Sequence, residues 1–167
     1  MIRSIAILMA TLSLSMPATS RAEGTSKPSS GEYGKDLGTI YGTFNAARWM
    51  GEVCSADFPS LRSQNEAAYA QWKQPRVSLL DDIDTRMKDL LRREVSGNSK
   101  EYAAKLEAFD KGEEESRVRF GALLKKNGPQ TYETTCRYYP TYLRSPGMDV
   151  EHDMADLLVT VRRGLPR

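Results

Sequence analysis

The sequence predicts an all-α protein, a small bundle of about four to five helices built around a long antiparallel helical hairpin and held by one disulfide. Along most of the chain apolar residues recur at steps of three and four, which is the period of a helix. No stretch rich in β-branched residues alternates between apolar and polar, so no strand is predicted. The two cysteines are the third observation, because cysteines of an exported chain are expected to pair.

The first 22 residues have the three-part pattern of a secretory signal peptide. Arg3 supplies a positive charge, residues 5–16 form an apolar run, and Ser20 and Ala22 are small residues suited to cleavage. The run is too short to cross a bilayer, which takes about 20 apolar residues. We therefore expect cleavage near Ala22 and a mature protein that is periplasmic or secreted.

The charge balance of the mature chain argues against nucleic-acid binding. Cleavage removes Arg3 and Arg21 from the 24 basic residues and none of the 22 acidic ones, which leaves 22 of each. Binding to phosphates needs a clustered positive field, and the sequence has no dense run of Lys and Arg. No segment after Ala22 is long enough to be a membrane span, so none is predicted in the mature chain.

A disordered leader is predicted over residues 23–36, followed by a single helical domain over residues 37–167. The leader is rich in Gly, Ser, Thr, Lys and Pro and has almost no apolar residue. Such a stretch cannot bury enough surface to offset its chain entropy.

The first helix is predicted over residues 37–54, where small or apolar residues recur at steps of three and four. They are Leu37, Ile40, Phe44, Ala47, Gly51 and Cys54. Other apolar residues lie away from this stripe, and the narrow polar edge that remains consists of Asn45, Arg48 and Glu52. A helix that is apolar on more than one side is usually central in its domain, so we expect this one to be heavily buried.

A second helix is predicted to begin after Asp57 or Ser60, either of which can act as an N-cap. Pro75 lacks a backbone donor and is expected to kink or break that helix. Beyond it the apolar seam consists of Leu80, Ile83, Met87, Leu90, Leu91 and Val95. The opposite face carries acid–base pairs at i,i+4, which are typical of a solvated surface. The pairs are Asp82–Arg86, Asp84–Lys88 and Asp89–Arg93.

Residues 96–99 read as a C-cap followed by an N-cap, which predicts a short connection and an antiparallel next helix. The seam of that helix consists of Tyr102, Leu106, Phe109, Phe120, Leu123 and Leu124. Residues 127–129 are expected to end it. A short ambiguous segment then runs to Pro140, and a last helix starts near Asp149, with an order of acids and bases that suits the helix dipole.

Cys54 and Cys136 are predicted to form a structural disulfide. A redox-active pair usually has the spacing Cys-x-x-Cys, which these cysteines lack. Closing this loop would restrict the unfolded chain by roughly 4.5 kcal/mol in the loop-entropy treatment. It would also tie the central helix to the aromatic-rich segment around Cys136.

The residue inventory predicts no metal, no cofactor and no catalytic residue. His152 is the only histidine, so zinc sites with two or three histidines are unavailable within one chain. Its acidic neighbours are better explained as a cap and as a complement to the helix dipole. The sequence has no nucleophile elbow, no Gly-rich phosphate loop and no haem-attachment motif.

A polar break interrupts the seam of the helix after Ser99, where Glu113, Ser116 and Arg117 stand in place of apolar residues. Glu113 and Arg117 are spaced i,i+4 and could pair. This break is either a polar ligand point inside the bundle or a part of the helix that overhangs its neighbours and meets water. We favour the overhang, because burying such a pair costs several kcal/mol per ion.

A cluster of tyrosines and arginines near Cys136 is the second candidate site. Tyr and Arg are enriched at protein-binding hot spots, so an exposed cluster would form a recognition patch. Its members would be Arg137, Tyr138, Tyr139, Tyr142 and Arg144. The alternative, which we favour, is that these rings line the core and cover Trp49 and Trp72, because aromatic packing dominates core energetics.

Together these observations predict a non-catalytic protein-binding or inhibitory module of the cell envelope, with another envelope or extracellular protein as its partner. It would bind through residues 132–144 or an exposed helix face. The alternative is a small-molecule carrier, which would need an apolar pocket between helices near Glu113 and Arg117. A hydrolytic enzyme is less favoured, because no set of nucleophile, base and oxyanion donors can be assembled.

Overall fold

The computed structural model describes residues 27–95 and 98–164. Helices make up most of this part of the chain, and no strand occurs in it, which confirms the all-α prediction. Residues 1–22, for which a signal peptide is predicted, lie outside the described residues.

Seven α-helical segments follow one another in the described residues. They are α1 (Tyr33–Asp57), α2 (Arg62–Lys73), α3 (Val77–Glu94), α4 (Ser99–Lys125), α5 (Pro129–Leu143), α6 (Val150–Asp153) and α7 (Ala155–Arg163). Short 3-10 turns connect several of them, at Pro59–Leu61, Gln74–Arg76 and Pro146–Met148. The break predicted at Pro75 is the second of these turns.

Helix α1 lies at the centre of the bundle, as its apolar stripe predicted. It contacts α2, α3, α4, α5 and α7. Leu37, Ile40, Ala47 and Cys54 have no exposed surface. Full burial of a leucine or isoleucine side chain contributes roughly 1.5–3 kcal/mol, so this helix supplies much of the driving force for folding.

Helices α3 and α4 form the predicted antiparallel hairpin. Near their connection Glu94 pairs with Lys105, and the Arg92 guanidinium lies 5.0 Å from the centroid of the Tyr102 ring. The Asn98 side-chain oxygen accepts hydrogen bonds from two backbone N–H groups in the first turn of α4. Asn98 is therefore the N-cap that starts the second arm of the hairpin.

Helix α4 runs parallel to α1 and is the most exposed of the long helices. The rings of Tyr41 and Phe109 are 5.6 Å apart, and further along both helices those of Trp49 and Phe120 are 6.2 Å apart. Within α4 only Gly121 is buried. Leu123, which was expected in its seam, is 64% exposed, so the apolar seam is shorter than predicted.

Residues 27–36, the described part of the segment predicted as a disordered leader, are ordered: residues 27–32 precede α1 and residues 33–36 form its first turn. The buried Asp36 carboxylate accepts hydrogen bonds from the Ser29 hydroxyl and from the Ser30 backbone N–H and hydroxyl. The Ser29 and Thr160 hydroxyl oxygens, the latter in α7, are 2.7 Å apart. Burial would raise the pKa of Asp36, but these hydrogen bonds hold it below its ordinary value. Helix α1 therefore starts before the predicted boundary at Leu37, and this stretch is fixed by a polar anchor.

Two further helix boundaries were predicted wrongly. Helix α5 continues through Pro140 as far as Leu143, although Pro140 removes one helical hydrogen bond. Pro140 is buried, so packing against the bundle compensates for the missing bond. The last predicted helix is divided at Met154, which is fully buried in a non-helical conformation between α6 and α7.

On α3 two of the three predicted acid–base pairs are present. Asp89 pairs with Arg92 at 3.0 Å instead of with Arg93. Arg86 also donates a hydrogen bond to the Val161 carbonyl at 2.9 Å. The charged face of α3 is therefore solvated along part of its length and fastened to α7 at one point.

The predicted disulfide is present and joins α1 to α5. Cys54 and Cys136 are bonded, with their Cα atoms 5.3 Å apart, and neither has exposed surface. One turn away the Tyr139 hydroxyl donates a hydrogen bond to the Ala47 carbonyl at 2.8 Å. A Cβ added to Gly51 would lie 2.7 Å from that hydroxyl oxygen, so α5 approaches α1 closely because position 51 has no side chain.

We expect the Cys54→Ala/Cys136→Ala variant to lose up to roughly 4.5 kcal/mol of unfolding free energy, since the bond closes a loop with a sequence separation of 82. Urea denaturation of the oxidised protein and the variant measures this loss. Dithiothreitol should lower the midpoint of the oxidised protein and leave that of the variant unchanged. Equal midpoints without reductant would contradict a stabilising role for the bond.

Gly51→Ala should lower the unfolding free energy by about 1–2 kcal/mol net, because overpacking a filled core costs about 1–3 kcal/mol and helix propensity returns part of it. Tyr139 cannot retreat easily, since it is fully buried and bonded to Ala47. The matched control is Gly42→Ala, at an exposed site of the same helix with open space around it. Gly42→Ala should gain about 0.5–1 kcal/mol. Equal urea midpoints for the two variants would refute the close contact.

Candidate functional site

The five residues of the predicted recognition patch lie in different environments. Tyr139 has no exposed surface and belongs to the core, so its assignment to a patch is wrong. Tyr142 is half-buried, whereas Arg137, Tyr138 and Arg144 are exposed. The core interpretation is correct for Tyr139, and Tyr138 is the tyrosine of this group that a partner can reach.

Tyr132, at the other end of the same segment, is also a core residue. Its hydroxyl donates a hydrogen bond to the Asp57 carboxylate at 2.9 Å, and its ring packs against Phe58. Burial and the bond to Asp57 raise the pKa of Tyr132. The hydrogen bonds that Lys125 and Tyr132 donate hold the pKa of Asp57 below its ordinary value. These contacts fix the start of α5 against the end of α1.

The exposed side of α5 carries a row of uncharged residues. The α5 face, as we name it, consists of Gln130, Thr131, Thr134, Tyr138 and Thr141, all exposed. Their spacing places them on one side of the helix. The Thr134 hydroxyl donates to the Gln130 carbonyl at 2.8 Å, so its proton is already used within the helix. The α5 face presents methyl and hydroxyl groups, one side-chain amide and one phenol ring.

At the polar break of α4, Glu113 faces α1. One of its carboxylate oxygens accepts a hydrogen bond from Arg48, and the other accepts one from the Tyr41 hydroxyl at 2.8 Å. The predicted pairing of Glu113 with Arg117 is wrong, because Arg117 pairs with Glu114 instead. The expectation that the helix overhangs into water here is also wrong for Glu113, whose side chain is only 21% exposed.

Glu113 and Arg117 line a cleft of about 320 Å³ between α1 and α4. Its remaining lining consists of Arg48, Trp49, Glu52, Asp110 and Glu114. Trp49 is the one apolar side chain in that lining, and each arginine already has a carboxylate partner. The cleft thus lacks the apolar character that a carrier with its pocket at this place would need.

Burial raises the pKa of Tyr41 to about 12, and its hydrogen bond to the Glu113 carboxylate adds to the shift. The Asn45 side chain acts in the opposite direction. Tyr41, Asn45 and Glu113 form one polar contact between α1 and α4. Arg48 belongs to the same contact, because it also donates a hydrogen bond to Asn45 at 3.0 Å. This contact connects α4 to the centre of the bundle between two aromatic pairs.

Within residues 27–95 and 98–164, no group of His, Cys, Asp and Glu side chains is arranged to hold a metal ion. His152 is exposed on α6. None of the helices in this part of the chain combines the length and the apolar character needed to cross a membrane.

Comparisons with protein-family models, with curated proteins and with solved structures found no match.

Several residues of these sites are not evident from the sequence. Arg48 belongs to the narrow polar edge of α1, but nothing in the sequence identifies Glu113 as its partner. The α5 face depends on helical register, which residue type alone does not show. One step along α5 separates the exposed Tyr138 from the buried Tyr139.

The raised pKa of Tyr41 predicts a pH dependence of stability. Above pH 10 the unfolded chain loses this proton while the native protein keeps it until about pH 12, so stability falls as pH rises through this window. Tyr41→Phe removes this contribution along with one hydrogen bond, worth about 1 kcal/mol. The stability advantage of the unmodified protein over Tyr41→Phe, measured by urea denaturation, should shrink between pH 10 and pH 12. A constant difference would contradict the shift.

Proposed function

We propose that this protein is an exported, non-catalytic protein-binding module of the cell envelope and that it binds its partner through the α5 face. The observation that carries the proposal is an exposed helix face whose residues are uncharged up to the Glu133–Arg137 pair at its edge, in a chain of which 28% is charged. Protein interfaces are depleted of charged residues at their centre and enriched in tyrosine. Tyr138, 56% exposed in the middle of this face, is the expected hot spot.

The opposite side of α5 is fastened to α1 by three separate contacts. They are the Cys54–Cys136 disulfide, the bond from Tyr139 to the Ala47 carbonyl and the bond from Tyr132 to Asp57. A helix held in this way loses little conformational freedom when a partner binds. Preorganisation of this kind lowers the entropic cost of association.

The chemistry of the α5 face favours an uncharged partner surface. Beside it, Glu133 and Arg137 pair with each other at 2.6 Å and so leave little net charge for a charged partner to recognise. A second folded protein with an apolar, hydroxyl-rich patch matches this surface. The apolar N-terminal run and the disulfide both support a place outside the cytoplasm, where disulfides persist and envelope proteins are available as partners.

A photocrosslinking amino acid, p-benzoylphenylalanine, placed at Thr134 in the producing cells tests this proposal. We expect one defined adduct with a second protein. Adding Tyr138→Ala should reduce its yield about fivefold or more, because truncating a hot-spot tyrosine costs at least about 1 kcal/mol of binding. Since Tyr138 is exposed, that substitution should change stability by less than about 0.5 kcal/mol.

The matched control carries the same crosslinker at Leu123, an exposed apolar residue of α4. It should not yield the adduct formed from Thr134. Absence of an adduct from Thr134, the same adduct at equal yield from Leu123, or an adduct unaffected by Tyr138→Ala would each refute binding through the α5 face.

A further inference from the structure

A cavity of about 330 Å³ lies between α2 and the end of α5, apart from the α5 face. Its polar side chains include Gln71, Arg76, Arg144 and Ser145, and Asp149 lies at the same cavity. Its apolar lining is provided by Ala68, Trp72, Pro140 and Leu143. The volume falls within the range of small-molecule sites, roughly 300–1,000 Å³, and the mixture of an apolar wall with a few polar groups is typical of them.

Three interruptions of the helical chain bring the polar groups together. Arg76 ends the 3-10 turn that Pro75 imposes between α2 and α3. Arg144 is the first residue after α5, and Asp149 directly precedes α6. The three residues stand at three separate helix ends, and all of them line the same cavity.

The hydrogen-bonding capacity of Arg76 is only partly used. Its Nη1 donates to the Trp72 carbonyl at 2.7 Å, and its guanidinium carbon lies 5.1 Å from the centroid of the Trp72 ring. The Nε atom is buried and has no hydrogen-bond partner among the described residues. Nη2 lies 3.9 Å from an Asp149 carboxylate oxygen, too far for a hydrogen bond. Nε and Nη2 form the edge of the guanidinium that a bidentate carboxylate binds, and a carboxylate that reaches the buried Nε has to displace the groups that cover it.

The charge of the cavity also favours an anion. Arg76 is only 16% exposed, and the one ion pair that it forms among the described residues, with Asp149, is at the outer distance limit of such a pair. Arg144 forms no ion pair within the part of the chain that the structure describes, and it lines the same cavity. Two guanidinium groups therefore line the cavity with one carboxylate, which lies 3.9 Å from Arg76. An anion that reached the cavity would gain from both.

We propose that this cavity binds a small organic carboxylate with an apolar body. The carboxylate accepts hydrogen bonds from the Nε and Nη2 edge of Arg76 and from Arg144, and the body packs on the apolar wall beside Trp72. The apolar lining favours an organic acid over inorganic phosphate, because phosphate would leave that wall without a contact. This site goes beyond the proposed protein-binding function and uses none of the residues of the α5 face.

The test uses the oxidised protein carrying Trp49→Phe, which leaves Trp72 as the tryptophan that reports on the cavity. It is titrated with phenylacetate and with 4-methylpentanoate while Trp72 fluorescence is recorded. We expect a saturable change with at least one of these acids. The neutral isostere phenylacetamide should bind about tenfold more weakly or worse than phenylacetate, because hydrogen bonds to a charged group are the stronger ones.

Substitutions around the cavity should act in opposite directions. Arg144→Gln, at an exposed site where folding is not at risk, should weaken binding about tenfold or more through loss of a charged hydrogen bond. Asp149→Asn should strengthen it, because the competing carboxylate beside Arg76 is removed and asparagine still suits a helix N-cap. Arg137→Gln is the matched control, since that exposed arginine of α5 pairs with Glu133 away from the cavity. It should leave the affinity unchanged.

Four results would overturn the proposal. They are no saturable change with either acid, equal affinity for phenylacetamide and phenylacetate, equal weakening by Arg144→Gln and Arg137→Gln, and tighter binding of inorganic phosphate than of both acids. None of these results bears on the crosslinking test of the α5 face, because Thr134 and Tyr138 do not line this cavity.

Discussion

Burial of α1 is the constraint on which the rest of this structure depends. Its apolar residues are distributed around more than one side, so a single neighbour cannot cover them. Five other helices pack on it, and the chain must reverse direction repeatedly to place them there. The chain reverses at the Pro59 turn between α1 and α2, between α3 and α4, and between α4 and α5. The Pro75 turn only bends its path, because Trp72 of α2 packs against Phe44 and Leu90 of α3 lies near Gly34 further along the same antiparallel course. The ends of the surrounding helices are therefore set by the need to enclose α1. Arg76, whose hydrogen-bonding capacity is only partly used, lies at one of these ends.

The polar contacts of α1 follow from the same constraint. A helix enclosed on most sides has few places for polar side chains, and most of those on α1 are paired. Asp36 accepts hydrogen bonds from Ser29 and Ser30, and Nη2 of Arg48 donates to Glu113, while Nε of Arg48 and the Ser55 hydroxyl are buried without a hydrogen-bond partner among the described residues. Both contacts attach an outer segment to the core through polar groups, and α4 is attached by two aromatic pairs as well. The stability of the segment before α1 consequently depends on charge and on pH more than that of the helices around Cys54.

Helical periodicity was sufficient to predict the fold class, the central helix and the hairpin, because these depend on residues close in sequence. The pairing of Cys54 with Cys136 was predictable from the count of cysteines together with the predicted export of the chain. The register of α5 was not, since Pro140 suggested a stop and only packing against α1 carries the helix past it. The anchor at Asp36 was missed for a related reason. A single buried carboxylate leaves no trace in composition, and its partners are set by the fold.

Sequence reasoning could not have found the cavity beside Trp72, because it is formed at the junction of three segments far apart along the chain. Arg76, Arg144 and Asp149 each look like ordinary surface residues near a helix end. What distinguishes Arg76 is that the fold buries its Nε while occupying only Nη1, and Asp149 remains 3.9 Å away. A buried cation that is only partly compensated costs stability. The burial of α1 and the disulfide stabilise the surrounding helices without these polar groups, so the fold tolerates the unfavourable burial of Arg76. The hydrogen-bonding capacity of the guanidinium edge is therefore left for a ligand.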